Sequence, residues 1–308
     1  MSGWLLLLLL LLCVAVNSAS CQPTNAAPTN ALTAVVAAAV RAAREQFPNL
    51  QTDQIAVTLT DLRDPARPLR ASHRGDAAIY PASVIKLFYL AAAHRWLADG
   101  RLADTPELRR ALSDMIVHSS NDATHYIIDL LTGTTSGPEL PDDELKAWNE
   151  KRNAVNRYFA TLGYPGINAN KKPWGDGPYG RETQASKAFQ PGRNLLTTDA
   201  TARLLAEMAT GQCVTPQRSA EMLALLKRDP FDVKIRDPND QAKFTGAALP
   251  PGAKLWSKAG WTSRTRHDAA YVELPDGRKF VLVVFTEGQA NERGILHAVT
   301  RRVVEELK

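Results

Sequence analysis

Lys254-Leu-Trp-Ser-Lys-Ala-Gly260, Asp268-Ala-Ala-Tyr-Val-Glu-Leu274 and Lys279-Phe-Val-Leu-Val-Val-Phe-Thr286 follow one another with short breaks between them. Their β-branched and aromatic content reads as three strands, and Pro275-Asp-Gly277 supplies a hairpin turn. Near the other end, Gln54-Ile-Ala-Val-Thr-Leu-Thr-Asp-Leu62 alternates like a strand and Asp64-Pro65 closes it, with a second short strand expected up to about Gly75. Helices are predicted over Ala31–Phe47 and Glu292–Lys308, the outermost elements. Between the two groups of strands the pattern turns helical: Ser83–Asp99, Pro106–Val117, Asp122–Leu131, Pro141–Leu162, Thr198–Thr210 and Thr215–Lys227. Gly163–Asn194 is dense in Gly, Pro, Asn and Lys with little periodicity, and a loop of about thirty residues inside a compact domain is usually functional. This order predicts an α+β fold: an antiparallel five-stranded sheet built from both chain ends and flanked by helices, with an inserted all-helical domain. The expected boundaries are 31–75 and 218–308 for the sheet part and 76–217 for the helical part, which carries the long loop 163–194.

The 308 residues are 44% hydrophobic and 22% charged, values that exclude a collagen-like or wholly disordered chain. Lys and Arg number 37 against 32 Asp and Glu, so the net charge is 37 − 32 = +5. The excess is scattered, and no basic run interleaved with aromatics supports nucleic-acid binding. Leu5–Leu12 is an unbroken leucine run that passes through Cys13-Val-Ala-Val16 into small polar residues. About a dozen apolar residues suit a signal-peptide core better than a membrane span. Residues 1–20 are therefore expected to be a signal peptide, without Lys or Arg at its start, and 21–30 a flexible tether. Cys21 follows Ser18-Ala-Ser20 in a pattern like a bacterial lipobox, with Ser18 where an aliphatic residue is usual. The expectation is an exported protein, periplasmic or membrane-anchored by lipid at Cys21. Cys13, Cys21 and Cys213 are too few for a disulfide framework.

Three segments carry chemistry. In Tyr80-Pro-Ala-Ser-Val-Ile-Lys86, Pro81 favours a helix start, so Ser83 falls in the first turn and Lys86 one turn along on the same face. An ammonium at the positive end of a helix dipole loses its proton readily if the site is dry, and can then accept the serine proton. His118-Ser-Ser-Asn121 separates two helical segments; a hydroxyl and a carboxamide two residues apart can face one cleft, or can cap the next helix. Ser257-Lys-Ala-Gly-Trp261 lies on a strand, where glycine often marks a close backbone approach.

In this order the segments resemble S-x-x-K, S-x-N and K-[TS]-G of the serine β-lactamase and penicillin-binding-protein family, closest to the class A β-lactamases. Ser257–Gly288 resembles the strands after K-[TS]-G, and Asn194–Leu205 the segment after the Ω-loop of those enzymes. The resemblance implies a serine hydrolase forming an acyl-serine intermediate on a β-lactam or related amide. It makes Ser83 the nucleophile, Lys86 its base or relay, Ser119 the proton donor to the leaving nitrogen and Asn121 the holder of the substrate amide. Lys258 would supply positive potential, and the backbone N–H groups of Ser83 and Trp261, beside Gly260, an oxyanion hole. Arg264 or Arg266 would bind a substrate carboxylate. A small-molecule or peptidoglycan-like substrate is implied, with no metal or organic cofactor; the sequence leaves the oligomeric state open, with a monomer as the expectation.

Ala259 departs from the family pattern by replacing a hydroxyl residue, unless Thr262 or Ser263 compensates. No E-x-x-x-N occurs in 163–194, where class A enzymes carry the glutamate that activates the deacylating water; Trp174-Gly175 stands where Trp-Glu is expected. Asp176 and Glu182 are the nearby acids, and Glu182 is the substitute candidate. Slow hydrolysis would favour a D-Ala-D-Ala peptidase or a penicillin sensor over an efficient β-lactamase. A competing constellation, His118, Asp122 and His125 at i, i+4 and i+7, would form a facial metal site only if all three shared one helix.

Overall fold

The computed structural model describes Met1 and residues 28–307. The chain runs α1 (Pro28–Gln46), β1 (Ile55–Asp61), β2 (Leu69–His73), α2 (Lys86–Ala98), α3 (Pro106–Val117), α4 (Asn121–Thr132), α5 (Asp142–Arg152), α6 (Ala154–Thr161), α7 (Gly180–Ala188), α8 (Thr198–Ala209), α9 (Pro216–Leu226), β3 (Lys227–Arg228), β4 (Lys254–Trp261), β5 (Thr265–Glu273), β6 (Lys279–Glu287) and α10 (Gly294–Glu306). The strands form one antiparallel sheet in the order β2-β1-β6-β5-β4-β3.

Period-two alternation sends the two faces of each strand into different cores. Val57, Leu59, Leu282 and Val284 pack with Leu32, Val36, Val40, Ile295 and Val299 under α1 and α10. Ala56, Val281, Val283 and Phe285 face the other way, into the core around α2 and α8. Because both faces are covered, β6 reads as an unbroken apolar run from Phe280 to Phe285 rather than as alternation. At the centre of the helical part, the first two turns of α2 are buried all round: every residue from Leu87 to Ala93 is at most 1% exposed. A helix apolar on every face belongs in an interior, and this one begins with Lys86.

The sheet has six strands where five were expected. The sixth, β3, is two residues long, pairs with Leu255 and Trp256, and reads in sequence as the end of a helix. Pro28–Asn30 are helical, so the expected tether reaches into α1; the signal peptide, Cys21 and the rest of the tether lie outside the described residues. The single helix expected over Pro141–Leu162 is two helices meeting at Asn153, whose side chain bonds back to Asn149 O at 2.8 Å and so competes with the helical ladder.

The 163–194 segment contains α7, which its Gly-Pro-rich surroundings hide. Tertiary contacts hold this short helix: Ala185 packs on Leu145 and Trp148, and Glu182 is tied to α5. Arg152, fully buried, donates from Nη2 to Glu182 Oε1 at 2.8 Å and from Nε to Thr134 Oγ1 at 2.9 Å, with its guanidinium over the Trp148 ring. Replacing Arg152 with Met strands the Glu182 carboxylate in the interior and is expected to cost about 3–5 kcal/mol, read as a lowered urea midpoint. The double variant Arg152→Met/Glu182→Leu should recover most of that loss, whereas an unchanged midpoint in the single variant would show that another contact holds the segment.

Candidate active site

The turn before α2 is a 3-10 segment, Ala82–Ile85, that lifts Ser83 to the start of the buried helix. Ala82 sits at φ +46°, a left-handed conformation costly for a residue with a Cβ and maintained only where the surroundings enforce it. Part of that enforcement is β4. A Cβ on Gly260 would lie 2.7 Å from Pro81 O, 2.8 Å from Ser83 N and 2.9 Å from Val84 N, so only glycine lets the strand reach the turn. Trp261 follows directly as the last residue of β4, paired with Arg266 of β5. His267 on β5 adds a second tie: its Nδ1 accepts from Thr286 N at 3.0 Å and its Nε2 donates to Tyr80 O at 2.9 Å.

Between α3 and α4, Ser119 also adopts a left-handed φ, +55°. Within His118-Ser-Ser-Asn121 the roles divide. Ser120 caps α4, its hydroxyl accepting from Ala123 N at 3.1 Å, while Ser119 and Asn121 turn to the amines. Lys86 Nζ lies 3.0 Å from Ser83 Oγ, 2.6 Å from Ser119 O, 2.9 Å from Asn121 Oδ1 and 3.2 Å from Ser119 Oγ. Lys258 Nζ reaches the same Ser119 Oγ at 2.9 Å, and donates to Ala259 O at 2.8 Å and Gln241 Oε1 at 2.7 Å. One hydroxyl therefore sits between two fully buried lysines.

Burial draws the Lys86 amine down to about 7, and its place at the positive end of α2 acts in the same direction. Lys258 is also drawn well down, by burial first and then by repulsion from Lys86 and Arg228, with Asp268 opposing. A neutral Lys86 has two N–H donors and one lone pair. Ser119 O and Asn121 Oδ1 are pure acceptors and take the two donors, which leaves the lone pair for the Ser83 hydroxyl. An ammonium on Lys258 finds one acceptor for each of its three N–H groups: Gln241 Oε1, Ala259 O and Ser119 Oγ. The arrangement can take a proton from Ser83 and hold another beside Ser119.

The structure thus brings together Ser83, Lys86, Ser119, Asn121, Lys258 and Gly260. It places the other sequence candidates elsewhere. Glu182, put forward to activate water, is 2% exposed and spends its carboxylate on Arg152 and on Ser136 Oγ at 2.8 Å; none of its bonds reaches the lysine–serine cluster. Arg266 turns inward to lie 4.0 Å over the Phe244 ring and donates to Asn239 Oδ1 at 3.3 Å, leaving Arg264 as the exposed cation of the β4–β5 turn. Thr262 does not stand in for the hydroxyl missing at Ala259, because its Oγ1 closes that turn by accepting from Arg264 N and Thr265 N. His118 terminates α3 while His125 lies on α4 and meets Pro173 O, so the metal constellation is divided; among the described residues no group of three potential ligands is arranged to hold a metal.

Sequence reading missed Gln241. Its Nε2 donates to Ile116 O and Val117 O while its Oε1 meets Lys258, so it clamps the end of α3 to β4. It lies in an irregular Asp- and Pro-rich stretch where no periodicity marks it.

Fold and cluster together define a serine hydrolase of the β-lactamase and penicillin-binding class. The chain belongs to the β-lactamase enzyme family, whose model, Beta-lactamase2, matches residues 103–307. Among solved structures it is similar to the β-lactamase of Sphaerobacter thermophilus, with 22% identity, a TM-score of 0.63 and coverage of 88% of this chain and 96% of that one. A β-lactamase of Xanthomonas campestris is 15% identical at a TM-score of 0.65, covering 90% and 99%. PBP-A, in a mutant form solved as an acyl-enzyme complex with penicillin G, is 20% identical at a TM-score of 0.64, covering 90% and 97%. No curated protein matches the chain.

Replacing Gly260 with Ala forces β4 away from the Pro81–Val84 turn. The expected cost is about 1–3 kcal/mol of overpacking, read by chemical denaturation. A variant as stable as the parent, with β4 undisplaced in its crystal structure, would contradict the close approach.

Proposed function

We propose that this chain is an exported serine hydrolase that opens a β-lactam or a related amide through an acyl-Ser83 intermediate. The observation that carries this reading is the desolvated Lys86 amine, 3.0 Å from Ser83 Oγ with its donors engaged elsewhere. Ser83 Oγ attacks the carbonyl carbon and its proton passes to Lys86 Nζ. The N–H groups of Ser83 and Trp261 meet the developing oxyanion, a contribution of about 3–4 kcal/mol per donor in comparable hydrolases. Collapse breaks the C–N bond, and the leaving nitrogen takes the Ser119 proton, which Lys258 or Lys86 replenishes. Asn121 Nδ2, freed because Oδ1 faces Lys86, holds the substrate amide, and Arg264 at the hairpin tip receives a substrate carboxylate. Water then cleaves the ester, releasing the acid and restoring the Ser83 hydroxyl.

That last step decides between two readings. With Glu182 bound to Arg152 and Ser136, its carboxylate is not positioned to activate the water, which favours a long-lived acyl-enzyme of the peptidase or sensor kind over rapid β-lactam turnover. Export rests on the Leu5–Leu12 run and the small residues before Cys21, with periplasmic release or a lipid anchor at Cys21 as the two destinations.

Intact-mass spectrometry after exposure to benzylpenicillin is expected to show one adduct of the drug's mass that is lost in Ser83→Ala. An adduct persisting for hours supports the slow reading and rapid regeneration the β-lactamase reading; no adduct at any pH overturns both. The acylation rate should rise with pH through about 7, because the neutral fraction of Lys86 grows as pH passes its lowered pKa. A flat profile between pH 6 and 8, on the order of a unit either side of that value, would remove Lys86 as the base.

A further inference from the structure

A cavity of about 260 Å³ opens beneath the 163–194 segment, with Tyr80, Lys171, Trp174, Glu182 and Arg193 among its walls. Its buried charges do not balance. Lys172 Nζ pairs with Asp129 Oδ2 at 2.8 Å and Arg152 with Glu182 at 2.8 Å, so two carboxylates face the three cations Arg152, Lys171 and Lys172. Lys171 remains. It is 8% exposed, and its Nζ is buried with no hydrogen-bond partner. The backbone holds this side chain in place: Lys171 O accepts from Tyr89 Oη at 2.9 Å and from Asn194 Nδ2 at 2.7 Å, and Lys171 N donates to Asn194 Oδ1 at 2.9 Å. Burial lowers the amine to about 8, and the Glu182 carboxylate opposes that shift, which keeps the protonated form accessible at neutral pH. A buried cation without a partner is costly and calls for a counter-ion.

The cavity wall indicates what kind. Arg193, exposed, lies 4.3 Å over the Tyr80 ring and adds a second cation at the rim. Trp174, braced by the His125 ring at 4.2 Å, supplies an aromatic face. Tyr80 stands three residues before Ser83, which puts the cavity beside the nucleophile turn. We propose that this cavity is a subsite for a carboxylate carried on the acyl side of the substrate, with Lys171 as its counter-ion, Arg193 at its rim and Trp174 against its apolar arm. The assignment rests on Ser83 being the acylated residue.

Two measurements test it. In calorimetric titration, phenylmalonate is expected to bind saturably and about tenfold more weakly to Lys171→Met and to Arg193→Ala. Arg193 is exposed, so its variant remains informative if the buried replacement fails to fold. In acylation kinetics, carbenicillin, which differs from benzylpenicillin by a carboxylate on the acyl arm, should react faster than benzylpenicillin, and the ratio of the two rates should fall about tenfold in the same variants. A ratio that both variants leave unchanged, or no binding of phenylmalonate, overturns the subsite while leaving acylation of Ser83 intact. Binding of inorganic phosphate without phenylmalonate also overturns it, by making the cavity a site for simple anions. If neither penicillin acylates Ser83, the functional reading fails instead, and the phenylmalonate titration still decides whether the cavity takes a carboxylate.

Discussion

Two buried primary amines share one hydroxyl oxygen, and most of the surrounding architecture serves that placement. Either ammonium alone would be costly at 0% exposure; two within reach of Ser119 Oγ disfavour each other as well. The fold achieves the desolvation from two sides. Lys86 begins a helix whose first two turns have no solvent-facing side, and Lys258 lies in a strand flanked by β3 and β5 and capped by Gln241. A surface lysine three residues after a serine would have the same sequence spacing and none of the basicity, because water would restore its ordinary proton affinity.

Geometry is fixed by backbone rather than by side-chain packing alone. Ala82 and Ser119, on separate segments, both hold left-handed conformations, and each stands where a reactive group must point across the helix–sheet boundary. Strain of this kind costs on the order of 1–3 kcal/mol per residue and survives only where neighbours over-determine it. Here the neighbours are β4 at Gly260, the His267 tie to Tyr80 and the bond from Ser120 N to Asp114 O. The reacting groups are therefore oriented before a substrate arrives.

The long strands and helices were legible in the sequence because apolar periodicity and burial coincide in them. The lysine–serine cluster was legible too, because its members lie in short fixed spacings at helix starts and on one strand. What escaped depends on tertiary contact. The two-residue β3 exists only through its pairing with β4, and α7 only because Ala185 and Glu182 find partners on or near α5. Arg266 and Thr262 have side chains able to meet a substrate, but the ring of Phe244 and the turn at Arg264 claimed them first. Gln241 had no pattern at all; its importance comes from the partners that surround it.

The ionic group formed by Asp129, Arg152, Lys172 and Glu182, in which Arg152 and Glu182 are buried, anchors the 163–194 segment. Fastenings between exposed charges weaken as dissolved ions accumulate around them, over a Debye length of about 8 Å at physiological ionic strength. Arg152 and Glu182 are sealed from those ions. A catalyst working outside the cell membrane, as proposed for this chain, meets dilute and briny surroundings without a cytoplasm to buffer them, and this segment would keep its hold in both.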